Sequence, residues 1–297
     1  MLACLAALTL QALAQDKEKH KPTEIFSSGR AINARTPLLV GKGKMDFNVT
    51  HNFGDLAGSN GGIKRFFGLD NSADIRIGFT VGLTDQLEAG IARSKGAGPQ
   101  QQLYEIGAKY LLMEQRDNDP SHPLSMALYG NMVIAASPQN PFPDQDNSYD
   151  GLGERMSNVL QLILARKFGK ISLQLNPSFL TRGYAISYDQ RSFFALGGAV
   201  RLPLGGRVNL LLDYFHPFRR TTVKNAFRTN DNIRFYDPFG VGFEILTSGH
   251  VFRLNFTNAT EILDNRFLPR TITSWGKGQF RWGFTIARKF TLWRGGR

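Results

Sequence analysis

GQFRWGFTIARKF, residues 278–290, is the stretch whose reading decides the fold. Every second residue gives Phe280, Trp282, Phe284, Ile286, Arg288 and Phe290, and the set between is Gln279, Arg281, Gly283, Thr285, Ala287 and Lys289. One face is aromatic and aliphatic, the other small, polar or charged. That period of two marks a strand between two unlike environments. The run is about twice as long as an ordinary globular strand but matches the ~9–11 tilted residues that cross a bilayer. It reads as the closing strand of a transmembrane β-barrel, which must pair with the first strand so that no edge is left in lipid.

Working outward, the same alternation recurs. Strands are expected at 44–53, 73–83, 87–95, 102–112, 124–135, 157–168, 171–180, 192–202, 207–215, 238–246 and 250–258, with the closing strand as the twelfth. An even number suits a single-chain barrel. The links after strands two, six, eight and ten are only two to four residues and the one after four is moderately short, whereas those after one, five, seven, nine and eleven are mostly long and polar; the short link after three is the exception. Alternation of short periplasmic turns with longer extracellular loops is what such a barrel produces, and a soluble β-sandwich has no reason for it.

Composition agrees. The chain has 297 residues, 42% hydrophobic, with mean hydropathy −0.24, so a helical membrane protein is excluded beyond the N-terminus. A net charge of +12 raises nucleic acid as a partner, but the basic residues are scattered without a nucleic-acid motif. An anionic membrane surface fits better. Residues 1–14 read as a signal peptide, with the apolar run from Leu2 ending in Ala12-Leu13-Ala14. The sole cysteine, Cys4, falls inside it, so the mature chain has no thiol chemistry. Residues 15–43 read as a polar periplasmic lead-in and 44–292 as the barrel, which places the protein in the outer membrane.

The long stretches HVFRLNFTNATEILDNRFLP (His250–Pro269), Trp275-Gly276-Lys277-Gly278 and Trp282–Phe290 resemble an uncharacterised outer-membrane β-barrel family, domain of unknown function 5777. DFNVTHNFG (Asp46–Gly54), RFFGLDNSADIRIGFTVGLTDQLEAGIARS (Arg65–Ser94) and LILARKFGKISLQLNPSF (Leu162–Phe179) carry the same resemblance through the first half. The resemblance implies location and fold. It supplies no catalytic or binding residues.

Two groups of residues stand out as candidate sites. Alternation turns Asp46, Asp74, Glu88, Glu105, Asp213 and Glu244 into the lumen, together with Arg76, Lys109, Arg201, Arg253, Arg281 and Lys289. A pore selective for one sign would show that sign in excess, so six against six points instead to pairing across the lumen. The second group is the basic loop at 216–236, with Arg219, Arg220, Lys224, Arg228 and Arg234, suited either to the phosphates of an anionic glycolipid or to plain solvation. The five histidines lack metal-pair spacing and no catalytic motif is present, so neither enzyme activity, metal nor cofactor is expected. The functional expectation is a narrow pore or binding barrel for small polar solutes. The alternatives are a non-conducting structural or docking barrel with a charge-filled lumen and, third, an exported soluble β-sandwich.

Overall fold

The structure is a computed structural model that describes residues 21–293; the expected signal peptide lies outside the described residues. Twelve antiparallel strands form a closed barrel in which each strand pairs with its sequence neighbours and β1 pairs with β12. They are β1 (Lys44–Asp55), β2 (Ser72–Gly82), β3 (Leu87–Ser94), β4 (Leu103–Met113), β5 (Ser125–Ala135), β6 (Met156–Phe168), β7 (Ile171–Arg182), β8 (Ser192–Gly205), β9 (Val208–Pro217), β10 (Phe239–Leu246), β11 (His250–Thr257) and β12 (Arg281–Thr291). Closure satisfies every wall strand on both sides, which is the condition for a sheet to stand in hydrocarbon. No described helix is long and apolar enough to cross a membrane.

The alternation of the sequence becomes the two faces of the wall. On β7, Leu173, Leu175 and Phe179 are exposed outward while Ser172, Gln174, Asn176 and Ser178 are buried inward. On β6, whose apolar run blurs the pattern, Leu160 faces out and Gln161 is fully buried. Pro177 interrupts the middle of β7 and faces outward; it has no N–H to donate, and the ladder to β6 breaks off between Gln161–Ser178 and Leu164–Leu175. Gly197 points inward on β8, where any side chain would run into the ring of the fully buried Phe215 on β9. Gly197→Ala is therefore expected to destabilise the barrel by about 1–3 kcal/mol through overpacking. The midpoint of its heat-dependent gel shift, compared with that of wild type, checks this.

Loop lengths segregate by end. The turns at 83–86, 169–170, 206–207 and 247–249 lie at one end, and the segments 56–71, 95–102, 136–155, 183–191, 218–238 and 258–280 lie at the other. The link at 114–124 is the long member of the short-turn end, and the structure supplies its reason. Pro22 forms a bridge with Arg116, the Thr23 N–H donates to the Gln115 carbonyl at 2.9 Å, and the Asp117 N–H donates to the Lys21 carbonyl at 3.0 Å. The link is a landing strip for the N-terminal chain.

From there the N-terminal chain enters the barrel. This corrects the expectation of a lead-in lying outside the wall: Ile25, Phe26, Ser28, Ala31, Asn33, Ala34 and Thr36 are all buried among wall residues. The segment runs into the lumen, turns through an Arg30–Arg35 bridge closed by the Ala31 N–H to the Ala34 carbonyl at 2.7 Å, and returns to start β1. Lacking period-two alternation, it reads as a tail in sequence. Its partners are on the wall rather than in a ladder, so no periodicity is required of it.

Two helices order the long loops. α1 (Thr221–Asn230) packs Val223 and Phe227 against Ile186 and the rings of Tyr184, Tyr188 and Phe235, capping the long-loop end. α2 (Asp264–Arg270) belongs to the 258–280 loop and does not project from the barrel. Leu263, Phe267 and Leu268 are nearly inaccessible, and Phe267 meets Phe215 of β9 edge-on with ring centroids 5.3 Å apart. The lumen is thus filled from both ends, by the hairpin and by this inward-folded loop.

Candidate functional site: the filled lumen

Strand alternation places all twelve of the expected lumen charges on the inner wall. Asp74, Arg76, Glu88, Glu105, Lys109, Arg201, Asp213, Glu244, Arg253 and Arg281 are buried, while Asp46 and Lys289 border the residual cavity. The ion pairs among wall residues run along the wall, between neighbouring or next-neighbouring strands, rather than across the lumen as expected. Lys109 meets Glu88 at 2.9 Å, Arg76 meets Glu105 at 2.6 Å, and Arg281 meets Asp55, a wall carboxylate outside the expected set, at 2.9 Å. Most of the remainder bind the two inserted segments instead.

Glu105 is the hub. Arg76 donates to it through Nε at 2.9 Å as well as Nη2, Tyr129 Oη donates at 2.9 Å and Asn131 Nδ2 at 3.0 Å. From the hairpin, Arg35 bonds the same carboxylate and lays its guanidinium 3.9 Å over the Tyr129 ring. Arg35 also reaches Asp264 of α2 at 3.1 Å, and Asp264 in turn binds Arg30 at 2.7 Å. The result is a buried row, Arg76–Glu105–Arg35–Asp264–Arg30, in which charge alternates and wall, hairpin and loop all contribute. Alternation lets each buried charge meet the opposite sign, without which desolvation would dominate.

The tip of the hairpin is held differently. Asp213 of β9 accepts the successive backbone N–H groups of Ile32, Asn33 and Ala34 at 3.2, 2.5 and 2.7 Å, and the Asn33 side-chain amide at 3.0 Å. Consecutive N–H groups curled round an anion form a nest, here with the anion supplied by the wall. Gly240 beside it sits close to both partners: a Cβ there would lie 2.7 Å from Asp213 Oδ1 and 2.9 Å from Ile32 Cγ2, so a side chain is admitted only if those two shift.

Elsewhere the wall binds hairpin backbone. Lys109 Nζ donates to the carbonyls of Thr36 and Leu38 at 3.1 and 2.5 Å. Arg253 donates to those of Arg30 and Ala31, and Arg201 to that of Ile25 at 3.3 Å. Ser28 Oγ donates to Glu244 at 2.8 Å, and the Val40 N–H to Glu88 at 2.7 Å. Loop 258–280 has its own anchors: the Ile262 N–H donates to Asp74 at 2.9 Å, and Arg266, paired with Glu261 of the same loop, donates through Nη1 to Gln100 Oε1 at 2.7 Å. The space left beside Arg30, Arg35, Asp46 and Arg253 is a cavity of about 80 Å³. Small-molecule sites commonly measure ~300–1,000 Å³.

The basic loop divides. Arg219 is buried beneath α1, where it pairs with Asp189, donates to the Pro269 carbonyl at 2.6 Å and faces the Phe235 ring at 4.0 Å. Burial pushes its guanidinium down to about 10, against the opposing pull of Asp189. Arg219 is a fastener of the cap, not an outward-facing charge. Arg220, Lys224, Arg228 and Arg234 are exposed.

Sequence reasoning missed Arg30, Asn33, Arg35 and Asp264. The signals were present but faint: two arginines in the Pro- and Ser-punctuated segment 22–37, and the apolar Leu263, Phe267 and Leu268 in a nominally polar loop.

A closed antiparallel wall of twelve strands, apolar outside and polar within, defines an outer-membrane β-barrel. Residues 26–290 match the family model described as membrane bound beta barrel domain (DUF5777), and the chain belongs to that family. No curated protein matches it. Similar solved structures include the KdgM porin, 9% identical with a TM-score of 0.45 over 83% of this chain and 99% of that one. The NanC porin is 7% identical, TM-score 0.44, covering 84% and 100%. The COG4313 outer membrane channel from Pseudomonas putida F1 is 13% identical, TM-score 0.44, covering 85% and 97%. The assignment rests on the family match and on this chain's own ladder, not on these likenesses.

Proposed function

We propose that the protein is a conduit for small polar solutes that its own N-terminal hairpin holds closed at rest. The observation that carries this reading is the character of the bond between hairpin and wall. Asp213, Glu105, Lys109 and Arg253 hold the segment through hydrogen bonds and ion pairs, and the wall also presents the polar Gln161, Asn176 and Ser178 inward, while Ile25 and Phe26 of the segment share an apolar cluster with Leu180, Phe193, Leu211 and Phe215. Water can replace the polar contacts one by one, so the hairpin is displaceable and the vacated wall remains wettable. An apolar plug on an apolar wall would have neither property.

The non-conducting barrel is the second reading, favoured by how little space the lumen retains. A redox-controlled tether separates the two. A Cβ at position 240 would fall 2.9 Å from Ile32 Cγ2, so Ile32→Cys with Gly240→Cys brings the two side chains into contact, where a disulfide can be formed under oxidation. The new side chain crowds Asp213, so the comparison is between oxidised and reduced forms of one double variant in a planar bilayer. Voltage-induced openings in the reduced form that vanish on oxidation and return with dithiothreitol support the conduit. Equal silence in both forms and in wild type at every voltage favours the permanently closed barrel.

A further inference from the structure

We infer that the exposed face of α1, together with the aromatic rim beneath it, is a docking surface for a phosphorylated, acylated glycolipid of the outer leaflet. Arg220, Lys224 and Arg228 are spaced four apart, so they line one side of the helix, while Val223 and Phe227 bury the other. Arg191 lies next to them, because the Arg220 N–H donates to the side-chain carbonyl of its neighbour Gln190 at 2.9 Å. All four are exposed, and among the described residues none is paired with a carboxylate.

The carboxylates that could neutralise them are committed elsewhere. Asp189 holds Arg182 and Arg219, Asp231 accepts Tyr188 Oη at 2.6 Å, and Asp237 holds Tyr214 and His216. A face that is merely solvated gains from mixed signs; α1 itself, Thr221–Asn230, carries no carboxylate.

The second observation is what lies below. Phe194 and Phe218 are 64% and 55% exposed on the outer surface, next to each other through the Phe218 N–H to the Phe194 carbonyl at 2.8 Å. Phe179 meets Phe194 at a tilt with ring centroids 4.9 Å apart, and His216 meets Phe218 edge-on at the same distance. Aromatics at this level belong to the membrane interface. Phe194 and Phe218 are two and one residues from Ser192 and Arg219, where the chain leaves the wall for the basic face. A ligand spanning both surfaces must carry phosphate above and acyl chain below. The inference takes the long-loop end as the outer one and is independent of whether the lumen conducts.

The test uses full-length barrel in neutral detergent, titrated into fluorescently labelled lipopolysaccharide and followed by anisotropy. Replacing the three helix charges together (Arg220→Gln, Lys224→Gln, Arg228→Gln) is expected to weaken binding by roughly tenfold or more, since charge-assisted contacts are the strong ones. Removing the ligand's phosphates should cost the wild type as much and the triple variant little further. Phe194→Ser with Phe218→Ser should weaken binding of the acylated ligand, and millimolar inorganic phosphate should not compete. Heat-shifted mobility verifies that each variant is folded. The inference is overturned if the triple variant binds as tightly as wild type, if Lys64→Gln with Lys277→Gln costs as much, or if inorganic phosphate displaces the ligand.

Discussion

Deletion of residues 22–40 is expected to convert a barrel that is silent at low voltage into one with steady single-channel conductance. The hairpin occupies the lumen without contributing a strand, so its loss leaves all twelve rungs of the wall and the β1–β12 closure in place. What it vacates is lined by Asp213, Glu244, Lys109, Arg201 and Arg253, groups whose partners water can replace. The conductance should nevertheless be modest, because loop 258–280 keeps anchors that do not involve the hairpin, at Asp74 and Arg219. Replacing 259–273 in the same background with a Gly/Ser linker should enlarge it further. Ion preference should be weak, since the inner wall carries six of the expected carboxylates and six of the expected cations. The measurement is planar-bilayer recording of the refolded proteins. A folded but silent deletion variant would show that the loop alone closes the barrel.

The largest effect on stability is expected at Glu105. Glu105→Leu removes the one carboxylate that lies between Arg76 and Arg35 and leaves Tyr129 and Asn131 without their common acceptor. Breaking a buried ion pair from one side typically costs ~3–5 kcal/mol because the partner charge is stranded. Here two arginines are stranded and one of them, Arg35, is shared with Asp264, which softens its loss. A cost at the lower end, about 3 kcal/mol, is expected on urea unfolding in detergent. Lys170→Gln, in the exposed turn between β6 and β7, should change stability by no more than ~0.5 kcal/mol. Restoring balance by adding Arg76→Leu should recover part of the loss, whereas adding it to wild type should not stabilise.

The wall was legible in the sequence and its filling was not, for a physical reason. Strands that separate lipid from a polar lumen must alternate, so the ends expected for strand seven, 171–180, differ from β7 by only two residues, and the closing strand differs from β12 by two at its start. Alternation also assigns each side chain to a face, which is why Asp74, Glu105 and Asp213 were identifiable as inward. It says nothing of what they touch. Asp213 binds three backbone N–H groups, and backbone contacts leave no residue-type signature at positions 32 and 34, an isoleucine and an alanine. Arg219 was misjudged for a related reason: a charge in a polar loop reads as solvated until the helix that covers it is seen. In the segment 258–280 the apolar residues were the clue, but a loop carries no period by which to weigh them.

The landing strip at 114–124 bears on the order in which the molecule assembles. The tip of the hairpin makes its hydrogen bonds to Asp213 and Thr257 across 179 to 224 positions of chain, and Arg30 reaches Asp264 across 234. The tip of the hairpin therefore lacks these partners until almost all the rest has been laid down. Contacts of such separation are late and slow, since the loop they close must be paid for before they return anything. The Pro22–Arg116 bridge is nearer in sequence, as are the contacts of Val40 with Glu88 and of Arg35 with Glu105, and it is placed at the mouth. It tethers the waiting segment at its point of entry, so that threading becomes a local search once the wall has closed.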